Sequence, residues 1–439
     1  MAVIDLGEVT GAEHASAGPV DHRRLLRAGL SVLSIAGLLV IAGAAPGPTT
    51  GVRPLWTTSI DNGRTLALDE RTAYVSRLED GRPTVAAYDL ASGRLRWSAP
   101  VGDGLGAEMA PRPAGDTVLA PADPASMTYQ DNDGSRLTYV SALTTVALDA
   151  ATGDQLWRAN GDARPSAGTG TALIAEHDDQ VRTTRLRLVR LRDGDEVWSR
   201  STPPLVDWIP LPDHDHPETI ATATADGRLS VYGYADGKLR ATSQVPWETK
   251  TRSATLIPAG RNLAVVRDDA SRDTITTVYS AGDLRPRWTA GDVSTCGELV
   301  CSIGVEGVAG RDPDTGRVVW NAPDARNMYP VAADRVLLST TLDGATVRLA
   351  DSRTGRPVGR PVTGAQAYTD DPAGDLLFTR PSVDPPGRLV VTRLDLADGR
   401  QTSIGTFGPT GDESSYCLAA RTYLACLRPD GLHVMAVGS

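Results

Sequence analysis

Asp213-His214-Asp215-His216 is the densest run of metal-ligating side chains in the chain. Imidazole and carboxylate together suit a transition-metal ion. Pro212 and Pro217 bracket the run, however, and a solvated loop would look the same. Gln130-Asp131-Asn132-Asp133-Gly134 offers hard oxygen ligands of the kind calcium takes. Its glycine comes too early for an EF-hand and no bidentate Glu follows at the required spacing, so it reads as the tip of an extended loop in a long second repeat, residues 110–145. Cys296, Cys301, Cys417 and Cys426 form two close pairs. Each pair is within hairpin reach of a disulfide; neither spacing suits the paired knuckles of a Cys₄ zinc site. Two local bridges are the expected connectivity, out of three that four cysteines allow. The chain has no Gly-x-Ser-x-Gly, no His-Glu-x-x-His and no phosphate loop. Six histidines leave little material for acid–base catalysis beyond Asp and Glu. No catalytic, cofactor-binding or metal-binding residue is therefore assigned.

What would position any such residues is a turn that the chain repeats. Ala147-Leu-Asp149-Ala-Ala-Thr152-Gly153-Asp-Gln-Leu-Trp157 reads as strand, tight turn, strand. Asp149 and Thr152 carry short oxygens that bond turn backbone, Gly153 tolerates φ > 0, and Trp157 offers a flat apolar body to a neighbouring sheet. Ala87-Tyr-Asp89-Leu-Ala-Ser92-Gly93-Arg-Leu-Arg-Trp97 and Gly310-Arg-Asp312-Pro-Asp-Thr315-Gly316-Arg-Val-Val-Trp320 match it closely. Gly194 and Trp198 keep the spacing with Arg190 in place of Asp. Gly237, Gly355 and Gly399 keep the turn but put Ala241, Gly359 and Ser403 where Trp belongs. Trp288 reads as a shifted copy, with Gly282 two residues too early and Pro286 between.

The turns return about every 40 residues behind alternating, β-rich runs, a period that points to an all-β propeller with one four-stranded sheet per repeat. Arg53-Pro-Leu55-Trp56-Thr57 resembles a last strand without its earlier ones; residues 423–435 resemble earlier strands without their last. Paired, they would close the ring and bury two open edges. Eight internal turns and this split repeat would make nine blades. Eight are expected, within a range of seven to nine, with the copy at Gly237 or Gly282 suspected of being spurious.

Ahead of the repeats, residues 28–45 form an uncharged run just long enough to cross a bilayer, behind Arg23, Arg24 and Arg27. That asymmetry puts the N-terminus in the cytoplasm. The expected organisation is a cytoplasmic tail at 1–27, a transmembrane helix at 28–45, a linker at 46–51 and an extracytoplasmic propeller at 52–439. Cleavage of a signal peptide near Ala44, giving a secreted protein, is the alternative. Disulfides agree with an oxidising compartment either way. Val3-Ile4-Asp5-Leu6-Gly7 is an apolar island in the tail that could dock a partner. A net charge of −10, with no basic patch after the N-terminus, argues against nucleic acid.

The A-x-D-x-x-T-G-x-x-x-W pattern resembles the tryptophan-docking repeat of the pyrroloquinoline-quinone (PQQ) dehydrogenase-like propellers. It covers nearly all of residues 52–437, three copies closely. The resemblance implies the fold, with Trp56, Asp89, Gly93, Trp97, Asp149, Gly153, Trp157, Trp198, Asp312, Gly316 and Trp320 as blade-docking residues. That family includes quinoprotein alcohol dehydrogenases and non-enzymatic members such as the lipoprotein of the outer-membrane protein assembly machinery. The dehydrogenases set a vicinal Cys-Cys disulfide against the quinone beside a calcium-binding Glu/Asn/Asp set. This chain has no adjacent cysteines and no alignable calcium set. Its layout looks most like actinobacterial envelope proteins described as PQQ-binding-like.

The expected function is thus a non-catalytic, membrane-anchored scaffold of the cell envelope that binds an unknown envelope protein or a small ligand. It would touch the lipid bilayer through residues 28–45 and need no cofactor. The alternative is an enzyme, a PQQ-dependent quinoprotein oxidoreductase using PQQ with Ca²⁺, or another propeller enzyme.

Overall fold

The computed structural model describes residues 51–60, 65–102, 109–130, 136–212, 216–245, 253–268, 274–341, 344–369, 374–408 and 416–438. The chain divides into two compact units, Met1–Thr49 and Thr50–Ser439. The expected tail, the membrane helix at 28–45 and the linker up to residue 50 lie outside the described residues. Among those that are described, no helix is long and apolar enough to cross a membrane.

The second unit is built of antiparallel meanders whose strands are called a to d, from the innermost outward. Thr65–Leu68, Thr72–Glu79, Arg82–Asp89 and Leu95–Pro100 form the first. The described strands fall in eight hydrogen-bonded sheets, seven of them four-stranded. The remaining sheet has seven strands, because Glu196–Leu211 is at once strand d of one meander and strand a of the next. The Gly237 turn and the turn after Ser280 both join paired strands, so neither copy is spurious.

Consecutive meanders pack face to face. Val85, Ala87 and Trp97 of the first meet Val118, Ala120 and Val146 of the second; among the described residues nine such apolar clusters follow one another. The last joins Leu432 and Val434 to Leu66, Val75 and Tyr88, which brings the end of the chain round to its beginning.

Closure is the pairing read from the sequence. Val52–Thr58 supplies strand d to Tyr416–Ala420, Tyr423–Arg428 and Gly431–Val437, in a register running from Val52↔Val437 to Thr58↔Leu432. A c–d turn would lie where the two chain ends meet, and there Gly438 N donates to Gly51 O over 3.2 Å. Gly51 therefore comes in at the end of the ring that carries the a–b and c–d turns. The b–c hairpins and the links between meanders lie at the opposite end.

One b–c hairpin departs from the rest. Thr117–Gln130 and Arg136–Asp149, fourteen residues each, pair in one register from Thr117↔Asp149 to Gln130↔Arg136. Their flanking strands stop early: Arg112–Ala114 reaches only Leu119, and Gln155–Asn160 only Thr144. Residues 124–130 and 136–142 thus pair as two strands of an arm beyond the blade. The sequence reading had a loop here; its alternating, β-prone residues continue the ladder instead. The loop tip expected around residues 131–134 lies outside the described residues.

Candidate functional site

The repeated turn is a packing device. In each close copy the Asp carboxylate binds turn amides: Asp149 Oδ1 accepts from Ala151 N at 2.8 Å and Thr152 N at 2.9 Å. Gly153 N donates to Asp149 O over 2.8 Å with Gly153 at φ +78°. These bonds, led by the Thr152 amide, hold the Asp149 carboxyl below the usual range; at Asp89 the Ser92 hydroxyl does most of this. Each tryptophan serves the turn of the following meander. Trp97 lies on Gly153 and donates Nε1–H to Ala150 O at 3.1 Å. Trp56 on Gly93, Trp157 on Gly194, Trp198 on Gly237, Trp288 on Gly316 and Trp320 on Gly355 repeat the arrangement, each with an indole bond to the carbonyl three residues before the glycine.

Two sequence expectations change here. Trp288 is not a shifted copy: Leu284 N donates to Ser280 O, and Leu284, at φ +55°, takes the place of the turn glycine. Gly282 merely precedes it. Leu284 fits because residue 241, which should be the Trp pressed on that turn, is Ala, and the two share one apolar cluster. Large-on-small has become small-on-large. Ala241→Trp alone and Leu284→Gly alone should each lower the melting temperature, by overpacking and by a cavity worth about 2–5 kcal/mol. The double variant should recover most of the loss, with a coupling of about 0.5–3 kcal/mol in chemical denaturation. At Arg190 the missing Asp is replaced in function by Asp193, whose carboxylate takes Asp195 N at 3.0 Å and the Arg190 guanidinium at 3.1 Å.

The cysteines form the two local disulfides, Cys296–Cys301 and Cys417–Cys426, each joining strands a and b of one blade; the second lies in the closing blade. Of the Asp213–His216 run only His216 is described, and the described residues hold no group of three or more His, Cys, Asp or Glu able to grip a metal. Neither bridge is between adjacent cysteines. The tail motif at residues 3–7 lies outside the described residues.

A cavity of 290 Å³ opens at the foot of the arm. It is lined by Ala125 of the arm, Leu143 at its base, Asn160 and Gly161 of the link, and residues of the b–c hairpin between Glu176 and Val181. Gly161, at φ +104°, lets the link turn sharply; a Cβ there would meet Ala175 O at 2.4 Å. Thr145 ties that link down, donating to Gly161 O at 2.7 Å and accepting from Ala163 N at 3.0 Å. Arg112 then grips Asp162 at 2.6 Å from the preceding inner strand. Glu176 pairs with Arg187 at 2.6 Å and Asp178 with Arg182 at 2.7 Å. Val181 is held at φ +59°, a conformation that costs a β-branched residue.

His177 lines this cavity, and its buried Nδ1 has no hydrogen-bond partner among the described residues. Burial pushes its pKa down, against the pull of Asp162 and Asp178. A base whose folded pKa is depressed costs stability when it must charge. Stability should therefore be full above about pH 6.5, the unfolded value, and fall as pH drops below it. A melting temperature lower at pH 5 than at pH 7.5, with a smaller difference in His177→Gln, would be the signature. Glu176 and Asp178 beside His177 are paired to arginines, and Asp179 adds a third carboxylate to the lining.

Further in, Arg164 stacks over Trp208 at 4.9 Å, and Asp207 accepts from Trp208 N at 2.8 Å and from Leu256 N, on the next inner strand, at 2.7 Å. Burial raises the Asp207 carboxyl despite those amides. Sequence reasoning missed Asp207, His177 and the cavity. The only signal was the unusual length of the second repeat.

A family model described as outer membrane protein assembly factor BamB matches residues 44–205, the span that holds the arm, the cavity and the first three Trp–Gly docks. Over this span, under half of the chain, the sequence is that of a PQQ-like β-propeller repeat protein. No curated protein matches its sequence. Among solved structures similar to this PQQ-like chain is BamB from Moraxella catarrhalis, at 12% identity over 88% of this chain and 99% of that one, with a TM-score of 0.39. Another is the C-terminal WD40 domain of Sif2, at 11% identity, 90% and 100% coverage and a TM-score of 0.43. A third is the quinohemoprotein alcohol dehydrogenase from Comamonas testosteroni, at 12%, 89% and 77%, with a TM-score of 0.44.

Proposed function

We propose that this PQQ-like propeller is a non-catalytic, protein-binding scaffold of the cell envelope, anchored by residues 28–45 with its N-terminus in the cytoplasm. The observation that carries the reading is the arm with the cavity at its foot, on the end of the ring opposite Gly51. Among the described residues the c–d turns at the Gly51 end repeat one geometry, whereas the other end bears an arm that breaks the repeat. Function on repeat scaffolds resides in such departures from the repeat. The match of residues 44–205 to a model described as an assembly factor supports a protein partner over a small ligand.

The test is affinity capture with the full-length protein from its own membranes, scored by partners lost when the arm, residues 124–142, is replaced by Asn-Gly. An enzyme reading makes the opposite demand. Protein given PQQ and Ca²⁺ that reduces dye in an alcohol- or sugar-dependent way would overturn the scaffold.

A further inference from the structure

We infer that the inner wall of the propeller carries a saccharide site, in which a neutral pyranose stacks on Tyr368 and Tyr416. The inference goes beyond the scaffold reading and uses neither the arm nor its cavity.

Among the described side chains the exposed aromatic ones are three tyrosines: Tyr329 at 39%, Tyr368 at 61% and Tyr416 at 47% exposure. They are not scattered over the outer strands. Each belongs to the innermost strand of its meander, in three consecutive meanders. Tyr329 is in Asn327–Ala332, Tyr416 opens Tyr416–Ala420, and Tyr368 follows Ala365–Gln366 by two residues. The residues just before or after them, Met328, Ala367 and Cys417, are buried in the clusters between blades. Side chains alternate along a strand, so the tyrosines take the other face, which on an innermost strand lines the space the propeller encloses. Large apolar bodies left open together on a concave wall mark a ligand site.

Tyr368 and Tyr416 are also held in place. Their phenol centroids are 6.0 Å apart, with planes tilted by 32°. The strands beneath them bond directly across the blade boundary: Tyr368 N donates to Cys417 O at 3.1 Å, and Ala419 N to Tyr368 O at 2.8 Å. The Cys417–Cys426 bridge ties the same strand to strand b of the closing blade. The backbone under both phenols is thus fixed before a ligand arrives, which lowers the ordering cost of binding.

The chemistry of the wall selects the ligand. On the described inner strands charge is carried by Arg112, Asp162, Arg164, Asp207 and Asp292. None of these is in Asn327–Ala332, residues 365–368 or Tyr416–Ala420, whose polar side chains are Asn327, Gln366 and the tyrosine hydroxyls. Gln366 shares the strand face of Tyr368, and Asn327 Nδ2 donates to the Tyr329 hydroxyl at 3.2 Å. Flat phenols beside amides and hydroxyls, with no ion among them, suit a neutral pyranose. Its C–H face lies on the phenols and its hydroxyl rim meets the amides. An acidic sugar would be drawn instead to Arg164, which stacks over Trp208 on the third and fourth meanders. A peptide fits less well, because the N–H and C=O of Tyr368 are already spent on the neighbouring inner strand and offer no ladder.

The probes are maltotetraose, cellotetraose, mannotetraose and chitotetraose, offered to the full-length protein in nanodiscs. At least one should bind, with magnetisation passing from protein to the ring C–H protons of the sugar in saturation-transfer spectra. Tyr368→Ala should weaken that binding by about tenfold, the worth of one aromatic stack, and Tyr368→Phe, which keeps the flat face, by less than about threefold. Tyr368 is mostly exposed, so both variants keep the fold. Arg164→Ala, on the charged part of the wall, should change nothing. The inference is overturned if none of the four sugars binds, if Tyr368→Ala binds as well as the parent, or if Tyr368→Phe loses as much as Tyr368→Ala. It is equally overturned if decaproline binds through Tyr368 and the sugars do not, which would make the wall a peptide site. Each of these failures leaves the partners of the arm, and with them the scaffold reading, untouched. A chain that keeps its membrane partners after arm replacement removes the support for the arm and leaves sugar binding as it was.

Discussion

Gly153→Val is expected to lower stability more than any other single change in the turns. Two independent causes add at this position. Gly153 has φ +78°, where a side chain costs about 1–2 kcal/mol, and more when β-branched. A Cβ built there would lie 2.6 Å from Trp97 Cδ2, closer than real carbon atoms approach. Trp97 cannot retreat, because it is buried, its indole donates to Ala150 O, and its other face packs near Tyr74 with centroids 5.9 Å apart. Overpacking of this kind costs about a further 1–3 kcal/mol. Denaturant melts of Gly153→Ala in parent and Trp97→Ala backgrounds separate the causes. The clash should vanish without the ring and the φ cost should remain. Equal losses in both backgrounds would show that the tryptophan does not press on the glycine.

The same pair of residues explains why so much of the fold was legible. A tryptophan four residues after a glycine is conspicuous, and the spacing is kept because the two residues dock in different meanders, so each copy constrains its neighbour. Where the constraint was met by other residues, the reading faltered. Leu284 hid a true turn because its permission to replace glycine comes from Ala241, more than forty residues earlier. No local pattern reports that. The closing strand was legible because Trp56 stands alone without a preceding turn. The cavity was not legible, since its walls come from an arm, a link and a hairpin that are separate in sequence.

Closure itself should be the larger vulnerability. Deleting Val52–Thr58 is expected to destroy the cooperative fold. The deletion removes a whole strand d and leaves Gly431–Val437 as an open edge carrying Leu432, Val434 and Val437, all buried in the parent. It also removes Trp56, whose indole donates to Leu90 O at 2.8 Å and covers Gly93. A buried Trp→Ala change alone costs about 3–5 kcal/mol, and Trp56, being half-buried, less than that. With the six paired positions added, the loss becomes comparable to the whole stability of a typical domain, about 5–15 kcal/mol. Arg393 cannot compensate, since its guanidinium holds the carbonyls of Val437 and Gly438 and not the missing strand. The converse experiment gives the sharper test. A circular permutant that opens the chain between two other meanders and joins Gly438 to Gly51 through Asp-Thr-Gly replaces a non-covalent seam with an ordinary c–d turn. It should melt at or above the parent temperature, because the closing sheet then forms from one continuous meander rather than from strands at opposite ends of the repeats. A permutant that folds but melts well below the parent would mean that the seam depends on free ends, and that the closing strand is held by something other than the docking geometry of the other turns.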